Sequence, residues 1–466
     1  MESKLMIASL VEKARIAQSQ INSYTQEQID EVCVAIGWEV YNDENIKQLA
    51  ELAVEETKMG NVSDKILKHK NKVLGVLADI TGTKSVGLIE EDTVKAIKKY
   101  AKPVGVVGAL TPVTNPTATP ASNAVTILKG RNAVIFAPHP KSKKSSKLAI
   151  DFMRDGLEKV GAPRDLIQII EEPSIEGTGE LMKQVDVVLA TGGGAMVKAA
   201  YSSGTPAYGV GPGNAVQIVA EDANPKDAAK KIIASKAFDY ATSCSSENSV
   251  IIHESLYDEM IKEFESLHCY FVKGDERAIL ENHMWKINRK GYRGLNPGIV
   301  AQSAVKIAEE AGLSVPETTR VLLVEGADDI EADFYSKEKL SPVLTVFKYS
   351  AFEEGYAKLV RLTDNNGTGH SCGIHTNNQA YVTHLGMNMK SSRIVVNQPQ
   401  AAANGGAFFN GMPSTVSLGC GTWGGNVTTE NISFKHFLNV TWVSELLEVH
   451  RPTDEDIFGD YFRKFK

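Results

Sequence analysis

Two stretches of this chain alternate short apolar runs with amphipathic segments, and no other feature restricts its fold as much. "PVGVVGAL" reads as a buried strand, "PASNAVTILKG" as a helix and "NAVIFAP" as a second strand. "KSSKLAIDFMRDGLEKVG" is a helix that stops at Gly161, and "DLIQII", "DVVLATGG" and "YGVGPGNAVQIV" continue the strand series. The alternation restarts beyond residue 244 with "SVIIHE", "RVLLVE", "PVLTVFKY", "SCGIHTN" and "RIVVNQ". Strands this short and this uniformly apolar have no solvent face, so they belong to parallel sheets covered by helices on both sides. The pattern predicts an α/β chain with two doubly wound halves. Clefts between such halves are where small molecules bind.

The flanking sequence narrows the class. Up to about Tyr100 the pattern is helical, with charge-rich segments such as "NIKQLAELAVEETKMG". Leu10, Ala14, Ala17 and Ile21 recur at helical spacing, so the start reads as a helix and not as a signal peptide. No apolar run approaches the ~18 residues of a membrane span. The 466 residues are 42% hydrophobic and 23% charged, enough for two or three domains with a large core. A net charge of −7 argues against nucleic acid as a partner. The densest basic stretch, "KSKKSSK" (Lys141 to Lys147), reads as a solvated helix start. Five scattered cysteines, with no CxxC pair, indicate neither a disulfide framework nor a metal site, and place the chain in the cytoplasm. "SVGLIEEDTVKAIKKYA" and "HFLNVTWVSELLEV" fit neither half and read as extended pieces that pair across subunits.

Two motifs carry chemistry. In "YATSCSSENSVII" a cysteine, Cys244, stands among serines, a glutamate and an asparagine just ahead of a strand. Taken alone it is equally a nucleophile or a small buried hydrophobe. "ATGGGAMVKAAYSSG" follows a strand and opens a helix, so its amides are placed to face a phosphate. A simple tight turn explains the same glycines as well, and the G-x-G-x-x-G dinucleotide spacing is absent.

"PVGVVGALTPVTNPTATP", "IFAPHPKSK", "ATGGG…KAAYSSGTPAYGVGPGN", "TSCSSENSVI", "EKLSPV", "GHSCGIHT" and "LGCGTWGGN" occur in this order. Together they resemble the CoA-acylating aldehyde dehydrogenases, over about Tyr24 to Val443. With "GNVSDKI", "TSCSSENSV" and "EDIFGDY", the chain looks most similar to the members that use sulfoacetaldehyde, then to those for succinate semialdehyde, with acetaldehyde third. The resemblance implies two Rossmann-like doubly wound domains plus an oligomerisation hairpin. Their expected bounds are 1–238 for the cofactor domain, with an oligomerisation segment at about 85–101, then 239–435 for the catalytic cysteine domain and 436–466 for a C-terminal oligomerisation segment. A homodimer or homotetramer follows.

The same resemblance assigns roles. Cys244 would attack the aldehyde, and Asn115 and the Cys244 amide would hold the oxyanion, each donor worth roughly 3–4 kcal/mol. NAD or NADP would take the hydride. Gly209 stands where hydrolytic relatives carry a water-activating glutamate, so the thiol of coenzyme A would release the acyl group. His370 would move protons in that exchange. Glu338 would hold the nicotinamide ribose, and Thr111, Pro112, Thr191, Gly192 and Gly193 the rest of the cofactor. Pro138, His139 and Pro140 replace a Lys-x-x-Glu set that binds the adenosine ribose, and Lys141, Lys143 and Lys144 lie near enough to favour a 2′-phosphate. At the substrate tail, "QPQAAANGGAF" (Gln398 to Phe408) is rebuilt relative to acetaldehyde enzymes. Ser245, Ser246 and Asn404 are expected to bind an anionic tail there. Arg393 is the available cation, although a structural role suits it better.

Overall fold

The computed structural model describes residues 2–288 and 291–465. Four helices come first: α1 (Glu2–Gln20), α2 (Gln26–Tyr41), α3 (Asp43–Thr57) and α4 (Val62–Ile80). Each of the last three starts on a side-chain cap, from Thr25, Asn42 and Asn61, which satisfies amides the helix cannot satisfy itself. Of the apolar stripe read at the start, Ala14, Ala17 and Ile21 are buried in the core of the first half with Ile7 and Val11, while Leu10 packs against it half-buried.

A three-stranded antiparallel sheet follows, made by β1 (Gly87–Asp92), β2 (Ile97–Pro103) and, from the far end of the chain, β17 (Leu438–Ser444). The two segments that fitted neither half therefore pair with each other inside one chain. No residue of β17 is buried, and Trp442 is 61% exposed.

The first parallel sheet contains β3 (Val106–Leu110), β4 (Ala133–Ala137), β5 (Ile167–Ile169), β6 (Val187–Thr191) and β7 (Ala207–Val210), in the order β5-β4-β3-β6-β7. Helices α5 (Ala118–Leu128), α6 (Lys143–Lys159), α7 (Ile175–Gln184) and α8 (Gly194–Tyr201) connect its strands. Every residue of β3, β4 and β6 is buried, which is why these runs show no alternation. Gly161 at φ +68 turns the chain out of α6 where a side chain would be strained.

The second parallel sheet has seven strands. They are β8 (Val216–Val219), β9 (Ser249–His253), β10 (Cys269–Val272), β13 (Val321–Glu325), β14 (Val343–Tyr349), β15 (Cys372–His375) and β16 (Ile394–Val396), in the order β10-β13-β14-β9-β8-β15-β16. A separate hairpin joins β11 (Trp285–Ile287) to β12 (Arg293–Leu295). "YGVGPGNAVQIV" is not one strand. Its first part closes one sheet and its last part opens the other. Helix α9 (Pro225–Ala237) then packs Ala228, Ala229, Ile232 and Ile233 into the second core. The chain crosses from one sheet to the other between Val210 and Val216. The glycines of "GVGPG" hid this crossing by reading as part of a strand. Among the described residues no helix is long and apolar enough to cross a membrane.

Candidate active site

The loop that carries Cys244 starts at the end of α9 with an unusual backbone. Asp239, Tyr240 and Ala241 have φ of +49, +52 and +58. Left-handed geometry at non-glycine residues costs about 1–3 kcal/mol each and persists only where other contacts impose it. Asp239 supplies those contacts. Its buried carboxylate accepts hydrogen bonds from Lys68 Nζ (2.6 Å), Thr242 Oγ1 (2.8 Å), the Asn61 amide (3.1 Å) and Lys65 Nζ (3.2 Å). Its own amide donates to Asp64 Oδ2 at 2.8 Å. Burial pushes the Asp239 carboxyl up, but Lys68 and Lys65 outweigh it and hold the group below its ordinary value. The first two turns of α4 thus grip the loop ahead of the cysteine.

Cys244 Sγ lies 3.1 Å from His370 Nε2, and His370 Nδ1 lies 2.9 Å from Ser371 Oγ. Burial, with Glu338 adding to it, pushes the thiol up to about 12. Burial, with Arg393 adding, pushes the imidazole down to about 3. Both shifts favour the uncharged forms, a thiol beside a neutral imidazole. Arg393 clamps the histidine loop. Its Nη2 donates to the carbonyls of His370 (3.1 Å) and Gly419, and its Nη1 to Asn431 Oδ1 (3.0 Å) and the Thr429 carbonyl (3.3 Å). Both terminal nitrogens of the guanidinium are thus held by the protein, while Nε is buried without a partner.

Asn115 follows β3, and its Oδ1 accepts from Lys68 Nζ at 3.0 Å. A cation on the oxygen fixes the amide so that Nδ2, the donor end, is left for another partner. Lys68 thereby links Asn115 to Asp239 and to Thr242, two residues from Cys244. Glu338 accepts from the Gly213 amide, and burial pushes it up to about 8. Gly213 itself passes so close that a Cβ there would lie 2.3 Å from the Cys244 carbonyl oxygen. Ser245, Ser246 and Asn404 are all buried, and Ser246 Oγ and Asn404 Oδ1 have no protein partner.

The residues expected at the cofactor gather at one edge of the first sheet, except Glu338, which precedes β14 of the second. Thr111 and Pro112 follow β3, Pro138 to Pro140 follow β4, Thr191 ends β6 and leads into Gly192 and Gly193, and Gly209 lies in β7. The order β5-β4-β3-β6-β7 puts the topological switch between β3 and β6, where open α/β sheets bind nucleotides at their carboxyl ends. The fit to a dinucleotide is physical. Gly193 and Gly194 open α8 with free space where side chains would be, and Thr111 Oγ1 is buried without a partner. Nearby, Lys143 pairs with Glu172, and Glu56 accepts the Lys144 and Ser145 amides at the start of α6.

Sequence reasoning missed Lys65, Lys68, Lys72 and Asp239. A signal existed: in "SDKILKHKNK" the three lysines recur at one helical face. Lys72 Nζ donates to the Gly405 carbonyl at 2.7 Å, inside the rebuilt Gln398–Phe408 stretch.

The profile of the aldehyde dehydrogenase family matches residues 3–281. A sulfoacetaldehyde dehydrogenase of an Acholeplasma species is 71% identical over 99% of this chain and 95% of its own. A sulfoacetaldehyde dehydrogenase (acylating) of Bilophila wadsworthia is 59% identical over 98% and 99%. The crystal structure of an acetylating aldehyde dehydrogenase from Geobacillus thermoglucosidasius superposes with a TM-score of 0.92 at 35% identity, covering 97% of this chain and 99% of that one. The chain belongs to the aldehyde dehydrogenase family, in its CoA-acylating branch.

Proposed function

We propose that this enzyme oxidises sulfoacetaldehyde to its acyl-CoA with reduction of NAD(P)+. The observation that carries the reading is a Cys244–His370 pair in a site whose water-activating position, Gly209, has no room for a side chain. A Cβ there would lie 2.5 Å from Val197 Cγ1 and 2.8 Å from Tyr201 Cε2. The names of the 71% and 59% identical relatives support the substrate.

In this mechanism Cys244 Sγ bonds to the aldehyde carbon while its proton leaves through His370 Nε2. Burial disfavours the imidazolium, so the proton passes on to the new oxyanion, which Asn115 Nδ2 and the Cys244 amide hold in place. Bound NAD(P)+ supplies a hydride acceptor, and the residues at the carboxyl ends of β3, β4 and β6, with Gly209 and Glu338, would hold it. Loss of hydride and a proton leaves the acyl carbon on Cys244 as a thioester. The thiol of coenzyme A then attacks that carbon, its proton moves through His370, and Cys244 leaves as a thiol. Without general-base help, commonly worth about 10²–10⁴-fold, water competes poorly.

The reading extends to assembly and place. The exposed β17 edge and the exposed Ile457, Phe458, Tyr461 and Phe465 of the helix Asp454–Phe465 support a homodimer or homotetramer. We assign residues 1–238 to a cofactor-binding domain with an assembly segment at about 85–101, residues 239–435 to the catalytic cysteine domain, and residues 436–466 to assembly. Five free cysteines suit the cytoplasm.

The test is absorbance at 340 nm with sulfoacetaldehyde, succinate semialdehyde and acetaldehyde, each with NAD or NADP and with or without CoA. Sulfoacetaldehyde should give the highest kcat/KM, and turnover beyond one equivalent should need CoA. Acetaldehyde used as well as sulfoacetaldehyde would refute the anionic substrate, and rapid thiol-free turnover would refute acyl transfer. Sedimentation as a monomer at micromolar concentration would refute the assembly.

A further inference from the structure

The 3.1 Å contact between Cys244 Sγ and His370 Nε2 closes a ring of buried polar groups. Its first arm starts three residues after the cysteine. Glu247, buried to 0% exposure, accepts the Gln400 amide on Oε1 at 3.0 Å. Gln400 Oε1 in turn accepts from Asn404 Nδ2 at 3.3 Å, while Gln400 Nε2 donates to Gln217 Oε1 at 2.8 Å and to the Val216 carbonyl at 2.9 Å. The second arm starts at the histidine. Its carbonyl accepts from Arg393 Nη2 at 3.1 Å, and Arg393 Nη1 donates to Asn431 Oδ1 at 3.0 Å. Asn431 Nδ2 donates to the carbonyls of Asn404 at 3.1 Å and Pro413 at 2.7 Å. The arms meet at Asn404, inside the Gln398–Phe408 stretch expected at the substrate tail.

Asn431 is the joint of this ring. Its side chain engages the amide oxygen and both amide protons. Arg393, Asn404 and Glu247 each keep one buried atom without a partner instead: Nε, Oδ1 and Oε2. Of the four oxygens that hold the Arg393 guanidinium, three are main-chain carbonyls, and Asn431 supplies the one side chain. Arg393 shares the strand frame of the histidine, because the Cys372 amide donates to the Arg393 carbonyl at 3.1 Å. Its guanidinium reaches the His370 carbonyl, and Asn431 fixes it there from a segment outside the seven-stranded sheet. Buried groups joined in this way hold one another in a single arrangement.

Building on the reading of His370 as the proton carrier, we propose that Asn431 is a positioning residue for this reaction. Through Arg393 it holds the His370 imidazole on the Cys244 sulfur, and through Asn404 it ties that placement to the Gln398–Phe408 stretch. Proton transfer depends steeply on placement, and a shift of about 1 Å can cost about a hundredfold in rate.

The test is a double-mutant cycle on kcat with Asn431→Ala, His370→Ala and the two together, at saturating NAD(P)+, CoA and the best of the three aldehydes. Asn431→Ala should lower kcat about a hundredfold, with the KM for NAD(P)+ within about twofold of wild type. In the His370→Ala background the same change should cost less than about threefold, because no imidazole is left to place. Asn431→Asp keeps an oxygen for Arg393 and should recover about tenfold of the loss. Asn431→Leu, close in volume, gives the same readout should the Ala variant fail to fold. A loss of full size in the His370→Ala background would mean that Asn431 acts on the structure at large and would overturn the assignment. An Asp variant no better than Ala overturns it too. A His370→Ala variant with wild-type kcat would sink the proton role of His370 itself. A slow His370→Ala beside an Asn431→Ala or Asn431→Leu of wild-type kcat sinks only the positioning.

Discussion

The two parallel sheets turn opposite edges to the site and furnish it with different material. The first presents carboxyl ends, at Thr111, Pro138 and Thr191, where glycines and prolines leave open space and the start of α8 offers backbone amides. The second presents loops that enter its strands at the amino ends: Gly213 before β8, Cys244 before β9, Glu338 before β14 and His370 before β15. Here side chains do the work, each fixed by hydrogen bonds. The contrast follows from helix polarity. Helix N-termini at a carboxyl edge favour phosphates, so a nucleotide can be held by backbone and released again. Among the described residues Cys244 is reached by no helix N-terminus, and burial beside Glu338 keeps its thiol high.

The sharpest way to break this contrast is to remove the side chain on which the second edge depends. Cys244→Ser should lower aldehyde-dependent NADH formation at least about 10⁴-fold, because hydride leaves only from the covalent adduct. NADH binding, followed by its fluorescence, should survive, since the residues proposed for the cofactor lie at the other edge. Substantial turnover in that variant would dissolve the division of labour.

Next in size is Asp239→Ala, which leaves the buried Lys65 and the half-buried Lys68 without their anion and frees three left-handed residues. Breaking such a pair costs about 3–5 kcal/mol, read as a fall in the urea midpoint, and kcat should fall with it as Asn115 loses its fixed orientation. A variant of wild-type stability and kcat would show that the grip of α4 is incidental.

The cofactor edge has its own test in Gly209→Ala. Overpacking against Val197 and Tyr201 should cost about 1–3 kcal/mol of stability and raise the KM for NAD(P). A stable variant with unaltered KM would mean that this edge tolerates side chains, contrary to the comparison. The smallest effect concerns protons. With the Cys244 pKa raised to about 12, its thiolate fraction rises about tenfold per pH unit across pH 7–10. Iodoacetamide labelling of the free enzyme should climb with pH without a plateau in that range. A plateau below pH 8 would indicate a thiolate–imidazolium pair instead.

Legibility in the sequence followed the range of the interactions. The strands could be read because each is a local run buried on both faces, and the end of α6 because Gly161 marks it. Gly209, Cys244 and His370 stood in recognisable motifs. The Lys68–Asp239 contact could not be read, because its partners lie 171 residues apart and neither residue type announces the other. The left-handed run at Asp239 to Ala241 was hidden for a related reason: no glycine marks it, and the geometry is imposed from α4. β10 went unread because Cys269 to Val272 is an edge strand that is only partly buried, too weak a run to separate from the helix before it.

That grip also governs when the enzyme can exist at all. During synthesis α4 emerges early and Cys244 much later, with the whole first sheet between them. The nucleophile takes up its working geometry only after the second half has folded back onto a helix made long before it. An unfinished or nicked chain in which the halves can part carries the cysteine but not the site. Activity in such a protein is a report on the integrity of the entire chain.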